Sequence, residues 1–241
     1  MNLVVVLHSP QDLVNIASVV RAMKNFELRD LRLVAPAEFE PRRITGIAHG
    51  SDDLVRRIEI FDDLDAALND RVYVAGMTAR QRAAKRNMQR PREAALDLLD
   101  AAADGPAALL LGREDKGLTN EELDRCQRVV TIPTSESYAA LNLSHAFVVM
   151  AYELHAARCE PQFKRPRRYA AAATHGELEQ LFSRAEAALD AIEFFKTRNT
   201  DSIMRTVREV AHRAPMDGRE VGLIKAMCVE VIRFLERKGV R

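Results

Sequence analysis

Short runs of consecutive aliphatic residues alternate, over the first 160 residues, with stretches in which apolar residues recur every three or four positions. The strand-like runs are Leu3–Leu7, Leu31–Ala35, Ile58–Phe61, Val72–Met77, Ala108–Gly112 and Val129–Pro133. Several are nearly unbroken Val/Ile/Leu, the pattern of parallel strands covered on both faces. Between them, Asn15 to Phe26 carries Ile16, Val19, Val20 and Met23 at helical spacing, Asp62-Asp63 opens a short helix, and Arg92 to Ala103 reads as another. Thr119-Asn120-Glu121-Glu122 is a capping box, which predicts a helix starting at Thr119. Asn142 to Arg158 is apolar on most sides and predicts a helix buried in a core or in a subunit interface. This alternation predicts an α/β fold with a mainly parallel six-stranded sheet.

The pattern then changes. Residues 160–168, Glu-Pro-Gln-Phe-Lys-Arg-Pro-Arg-Arg, hold two prolines and four basic side chains and read as a linker. Beyond them no strand pattern survives. Leu178, Leu181, Phe182, Ala185, Leu189 and Ile192 form one amphipathic stripe, and Val221, Ile224, Met227, Cys228, Val231, Ile232 and Leu235 form another. A third helix is expected between Ser202 and Arg213. The organisation predicted is a domain over 1–160, a basic linker over 161–175 and a helical domain over 176–241, whose thin core should pack on another surface.

Composition adds exclusions. At 241 residues, 47 % hydrophobic and 29 % charged, the chain is ordinary globular material, and no apolar run approaches the roughly 18 residues of a membrane span. Its start lacks the basic n-region of a signal peptide. Cys126, Cys159 and Cys228 are odd in number and widely spaced, so neither a disulfide framework nor a thiolate metal site is expected, and a reducing cytoplasm is the expected setting. The six histidines show no ligand spacing, so no bound metal is expected. The net charge of +1 is a cancellation: residues 161–241 carry 16 basic and 11 acidic side chains, against 20 and 24 before them.

Ligands of open parallel sheets bind at the carboxyl ends of the strands, which directs attention to four loops. After the first strand, Asn15 is placed to cap a helix that carries Arg21, and such an N-terminus favours an anion. After the fourth, residues 77–92 hold six basic side chains and no acid, a density suited to a phosphate backbone. No aromatic residue is interleaved there. After the fifth, Gly112 and Gly117 bracket a charged turn, with neither a phosphate-loop nor a dinucleotide glycine pattern. After the sixth, Thr134 to Ser144 is rich in hydrogen-bonding groups, and Asn142 and Ser144 can cap the apolar helix.

Asn15-x-x-Ser18-x-x-Arg21-Ala22, Thr78-Ala79-Arg80, Gly112-Arg113-Glu114-x-x-Gly117-Leu118, and Ile132-Pro133 leading to Leu141-Asn142-Leu143-Ser144 occur in this order. The set resembles the SpoU/TrmH branch of the SPOUT RNA methyltransferases, most closely the TrmJ-like group, over residues 1–158. The tail is similar as well, through Leu178-x-x-Leu181-Phe182, Met204-Arg205 and Arg219-Glu220-Val221. The resemblance implies a sheet whose C-terminal part is threaded into a trefoil knot, an exception to the rule that chains do not knot. It implies a homodimer, S-adenosylmethionine as cofactor, and methyl transfer to a ribose 2′-hydroxyl of tRNA at nucleotide 32 of the anticodon loop. By the same resemblance the catalytic group is Arg21, Asn15, Glu114 and Asn142, and the cofactor is cradled by Met77, Thr78, Ala79, Gly112, Ile132, Ala139, Ala140 and Leu141. RNA contact falls to Arg80, Arg82, Lys85 and Arg86, and to Lys164, Arg165, Arg167 and Arg168 in the linker.

Two positions depart from the family pattern: Ala17, where glycine is usual, and Ala140, where serine is usual. They keep two alternatives in view, a ribosomal RNA 2′-O-methyltransferase and an RNA-binding protein of this fold without catalysis.

Overall fold

In the computed structural model the described residues are 2–79, 87–159, 171–197, 199–213 and 216–239. The chain divides into two compact units, Met1–Arg165 and Pro166–Arg241.

The first unit is built on seven parallel strands, β1 (Leu3–His8), β2 (Asp30–Val34), β3 (Glu59–Phe61), β4 (Tyr73–Met77), β5 (Met88–Gln89), β6 (Ala107–Leu111) and β7 (Arg128–Val130), in the order β3-β2-β1-β6-β4-β7-β5. The expected count of six is corrected to seven. The extra strand, β5, lies inside the stretch read as a basic loop and pairs Met88 with Val129 and Gln89 with Val130. Two residues are too few to leave a periodicity, so only the partner strand reveals them.

Helices cover both faces. α1 (Leu13–Asn25), α2 (Pro41–Ile47), α3 (Asp52–Val55), α5 (Pro91–Asp104) and α7 (Leu143–Cys159) pack on one face, and α4 (Leu64–Leu68) and α6 (Asn120–Leu123) on the other. The strands show why. In β1, Leu3, Val5 and Leu7 enter the first core while Val4 and Val6 enter the second; in β6, Ala107, Leu109 and Leu111 alternate with Ala108 and Leu110. A strand buried on both faces must be apolar at every position, and this is the unbroken run visible in the sequence. The capping box at Thr119 forms as expected, with Glu122 N donating to Thr119 Oγ1 and Thr119 N donating to the Glu122 carboxylate. The cap of α1 differs from expectation: it is Asp12, whose carboxylate accepts from Val14 N at 2.8 Å. Asn15 lies inside the helix and is released for another task.

The second unit holds α8 (His175–Ala191), α9 (Thr200–Arg213) and α10 (Gly218–Lys238) around Ala173, Leu178, Leu181, Phe182, Met204 and Val221. Thr174 with Glu177 and Asp217 with Glu220 form capping boxes at α8 and α10. Arg208 lies over the Phe182 ring at 4.4 Å and seals one side of this small core. Among the described residues no helix is long and apolar enough to cross a membrane, and no group of three or more His, Cys, Asp or Glu is placed to hold a metal.

Candidate active site

The strand order places the carboxyl ends of β1, β6, β4 and β7 side by side, so the loops that leave them meet although they are far apart along the chain. The loops after β4, β6 and β7 enclose a cavity of about 210 Å³. Met77, Leu111, Val130, Ile132, Leu143 and Ala146 give it an apolar floor, and Arg113, Glu114, Asp115 and Lys116 a charged rim. Met77, Thr78, Ala79, Gly112, Ile132, Ala139, Ala140 and Leu141 all line this one cavity.

The loop after β6 folds back on itself. Gly117 N donates to Arg113 O at 2.8 Å, and Gly117 takes a left-handed φ of +61°. A Cβ on Gly112 would stand 2.4 Å from the Gly117 carbonyl carbon and 2.5 Å from Leu118 N. Glycine is required there by the loop's own backbone, in addition to any ligand. Gly112→Ala is expected to cost about 1–3 kcal/mol through forced backbone movement; a thermal midpoint equal to that of the parent protein would refute the tight fit. At the rim, Asp115 hydrogen-bonds the Arg113 guanidinium at 3.0 Å, which holds its carboxyl below the usual carboxylate range.

Three of the four residues expected to be catalytic form one hydrogen-bonded network. The Glu114 carboxylate accepts from Gln11 N (2.9 Å), Asp12 N (3.2 Å) and Asn15 Nδ2 (3.1 Å). Asn15, buried at 7 % exposure, accepts in turn from Asn142 Nδ2 at 3.0 Å. Asn142 Oδ1 then accepts from Ser144 N and Ser144 Oγ, capping α7. Each amide is fixed in orientation because one end must donate and the other accept. The network ties the loops after β1, β6 and β7 together beside the cavity, and it engages both carboxylate oxygens of Glu114.

Arg21 is placed elsewhere. It is exposed, does not line the cavity and makes no hydrogen bond or ion pair with the described residues. Six positions beyond Asn15, it stands about 9 Å further along the helix and about 120° around it. It belongs to the outer stripe of α1 that begins with Val14, itself 49 % exposed. Glu114 therefore orients Asn15 and the start of α1.

The two departures separate. Ala17 is fully buried in the core under α1, so its methyl group points away from any approaching RNA. Ala140 is exposed at the cavity wall. The eight positions expected to touch RNA, Arg80, Arg82, Lys85, Arg86, Lys164, Arg165, Arg167 and Arg168, lie outside the described residues. Sequence reasoning missed Leu143 and Ala146 as cavity residues; their spacing of three on the helix after Leu141 was the available signal.

Residues 2–152 match the SpoU rRNA Methylase family, and residues 176–239 match the C-terminal domain of tRNA methyltransferase TrmJ. The chain is 31 % identical over 232 residues to the tRNA (cytidine/uridine-2′-O-)-methyltransferase TrmJ of Sodalis glossinidius, covering 95 % of this chain and 91 % of that one. With the protein of the same name from Salmonella typhimurium it shares 32 % over 238 residues, covering 95 % and 96 %. The crystal structure of TrmJ from Z. mobilis ZM4 superposes with a TM-score of 0.79 at 25 % identity, over 95 % of this chain and 98 % of that one.

Proposed function

From the premise that this chain belongs to the SpoU rRNA Methylase family, we propose that it is an S-adenosylmethionine-dependent tRNA ribose 2′-O-methyltransferase acting at nucleotide 32 of the anticodon loop, in the cytoplasm. The observation that carries the reading is the convergence of eight strand-end residues on one cavity beside the Asn15–Glu114–Asn142 network. The TrmJ-type C-terminal domain favours tRNA over ribosomal RNA. The reading includes a trefoil knot in the later part of the first unit.

The cavity fits the cofactor's chemistry: an apolar floor for a purine, and loop backbone with a mixed-charge rim for an amino-acid zwitterion. S-adenosylmethionine, when bound, supplies an electrophilic methyl group on a sulfonium. Thr78, Gly112 and the 139–141 backbone hold the donor, while the network keeps these loops in register. The ribose hydroxyl is a weak nucleophile near neutral pH, and the Arg21 guanidinium orients it and stabilises the developing alkoxide. The hydroxyl proton leaves to solvent water, with the RNA phosphate accepting a hydrogen bond from the hydroxyl as it departs.

A homodimer completes this site. The outer face of α7 exposes Val148 (40 %) and Tyr152 (57 %), and α7 packs against α1, whose outer stripe carries Val14 and Arg21. Pairing two chains through these faces covers the apolar residues and offers an Arg21 from one chain to the cavity of the other.

Incubation with labelled S-adenosylmethionine and total RNA, followed by mapping of the modified nucleotide, tests the reading. Methyl on ribose 32 of tRNA is expected; methyl on ribosomal RNA, or none, would overturn it. Since the basic segments 80–92 and 164–168 meet phosphates, tRNA affinity should fall steeply with salt. Six contacts imply a loss of roughly a thousandfold between 50 and 200 mM. A flat salt response in a filter-binding titration would remove these segments from the interface.

A further inference from the structure

We propose that Tyr138 is a stacking platform for a nucleobase of the substrate RNA, at or next to the nucleotide whose ribose is methylated. The inference rests on the function proposed above and extends it to a residue that the sequence pattern did not single out.

Tyr138 is 83 % exposed, more than any other large apolar side chain of the described residues, and its ring and hydroxyl have no partner among them. Its neighbours Ser135, Glu136 and Ser137 are polar, as suits a solvated loop, so an aromatic ring at this position gains nothing from the fold. The backbone beneath it is nonetheless held. Tyr138 N donates to Ser135 O at 3.2 Å, Thr134 Oγ1 donates to Ala139 O at 2.9 Å, and Asn142 anchors the far end through Asn15. The next three residues, Ala139, Ala140 and Leu141, are wall of the cavity. The ring therefore stands on a pinned turn at the mouth of the donor site. Every base presents a π-face, and single-stranded RNA loops are recognised by stacking unstacked bases on aromatic side chains. The basic segment 80–92 supplies charge and no ring, so it leaves that role to another loop.

The test uses the full chain and tRNA transcripts. The parent protein is first shown to methylate tRNA; failure there overturns the proposed function and leaves no substrate for this inference. With an active parent, Tyr138→Ala is expected to raise KM for tRNA about tenfold or more, the scale of one lost base stack. Tyr138→Phe and Tyr138→Trp should restore it. Calorimetric affinity for S-adenosylhomocysteine and the thermal midpoint should match the parent in all three. A transcript carrying 2-aminopurine beside the target nucleotide should be quenched by the parent and the Trp variant and not by the Ala variant. Parent-like KM in Tyr138→Ala overturns the proposal. So does a Phe variant as weak as Ala, which would assign the hydroxyl, or a shift of Tyr138→Ala toward monomer in sedimentation, which would assign the ring to a protein interface.

Discussion

Arg21→Ala lowers kcat for tRNA methylation by about a hundred- to thousandfold, the usual cost of removing a charged donor from a developing oxyanion, while S-adenosylhomocysteine binds as before. The separation is expected because Arg21 is exposed on the outer stripe of α1 and touches neither the cavity nor the Asn15–Glu114–Asn142 network. Its removal leaves nothing buried and unsatisfied, so the thermal midpoint should hold. Mixing extends the test to the dimer. Ala139→Trp fills the cavity and is inactive by itself. If Arg21 serves the opposite chain, reassembling equal amounts of the two inactive variants restores about a quarter of parental activity, because half of the dimers are mixed and each has one complete site. No recovery in mixed dimers would place Arg21 and its cavity in one chain, and undiminished turnover by Arg21→Ala would remove it from the chemistry.

Glu114→Gln is expected to damage both the fold and the reaction. The carboxylate receives two backbone N–H groups and the Asn15 amide, all donors. An amide replaces one acceptor oxygen by an NH₂, so a donor meets a donor at the start of α1, and the favourable negative charge at that helix N-terminus is lost. The cost is about 1–3 kcal/mol for an unmade hydrogen bond at a partly buried site, a fall of several degrees in thermal midpoint. The catalytic effect should be larger, about a hundredfold, since displacement of a positioning loop by an ångström is felt in the near-attack geometry. Differential scanning calorimetry and single-turnover transfer report the two effects separately. A variant with parental midpoint and rate would show that the network only decorates the site.

Much of the first unit was legible because strands covered on both faces cannot alternate: Leu3–Leu7 of β1 and all of β6 had to be apolar, and such runs stand out from the helical spacing of α1 and α5. The capping box at Thr119 is equally local, since donor and acceptor lie three residues apart. The strand-end loops could be located by the same logic, and Gly112, Glu114 and Asn142 within them by their motifs. The short α2 and α3 passed unseen, for four to seven residues show too little of a helical period.

What the chain by itself determined, then, is the succession of elements and which loops would carry chemistry. Tertiary structure alone decided how those loops meet. Nothing local to Asn15 indicates that Asp12 takes the cap, which leaves Asn15 free to join Glu114, 99 residues away, to Asn142, 127 residues away. Only the order β1-β6-β4-β7 makes these neighbours. The same holds for β5, which exists through its partner β7, and for Arg21, whose motif predicts catalysis while the helix turns it to the outside. Sequence periodicity records which face of an element is buried; it does not record which other element covers it, and the site is made of such meetings.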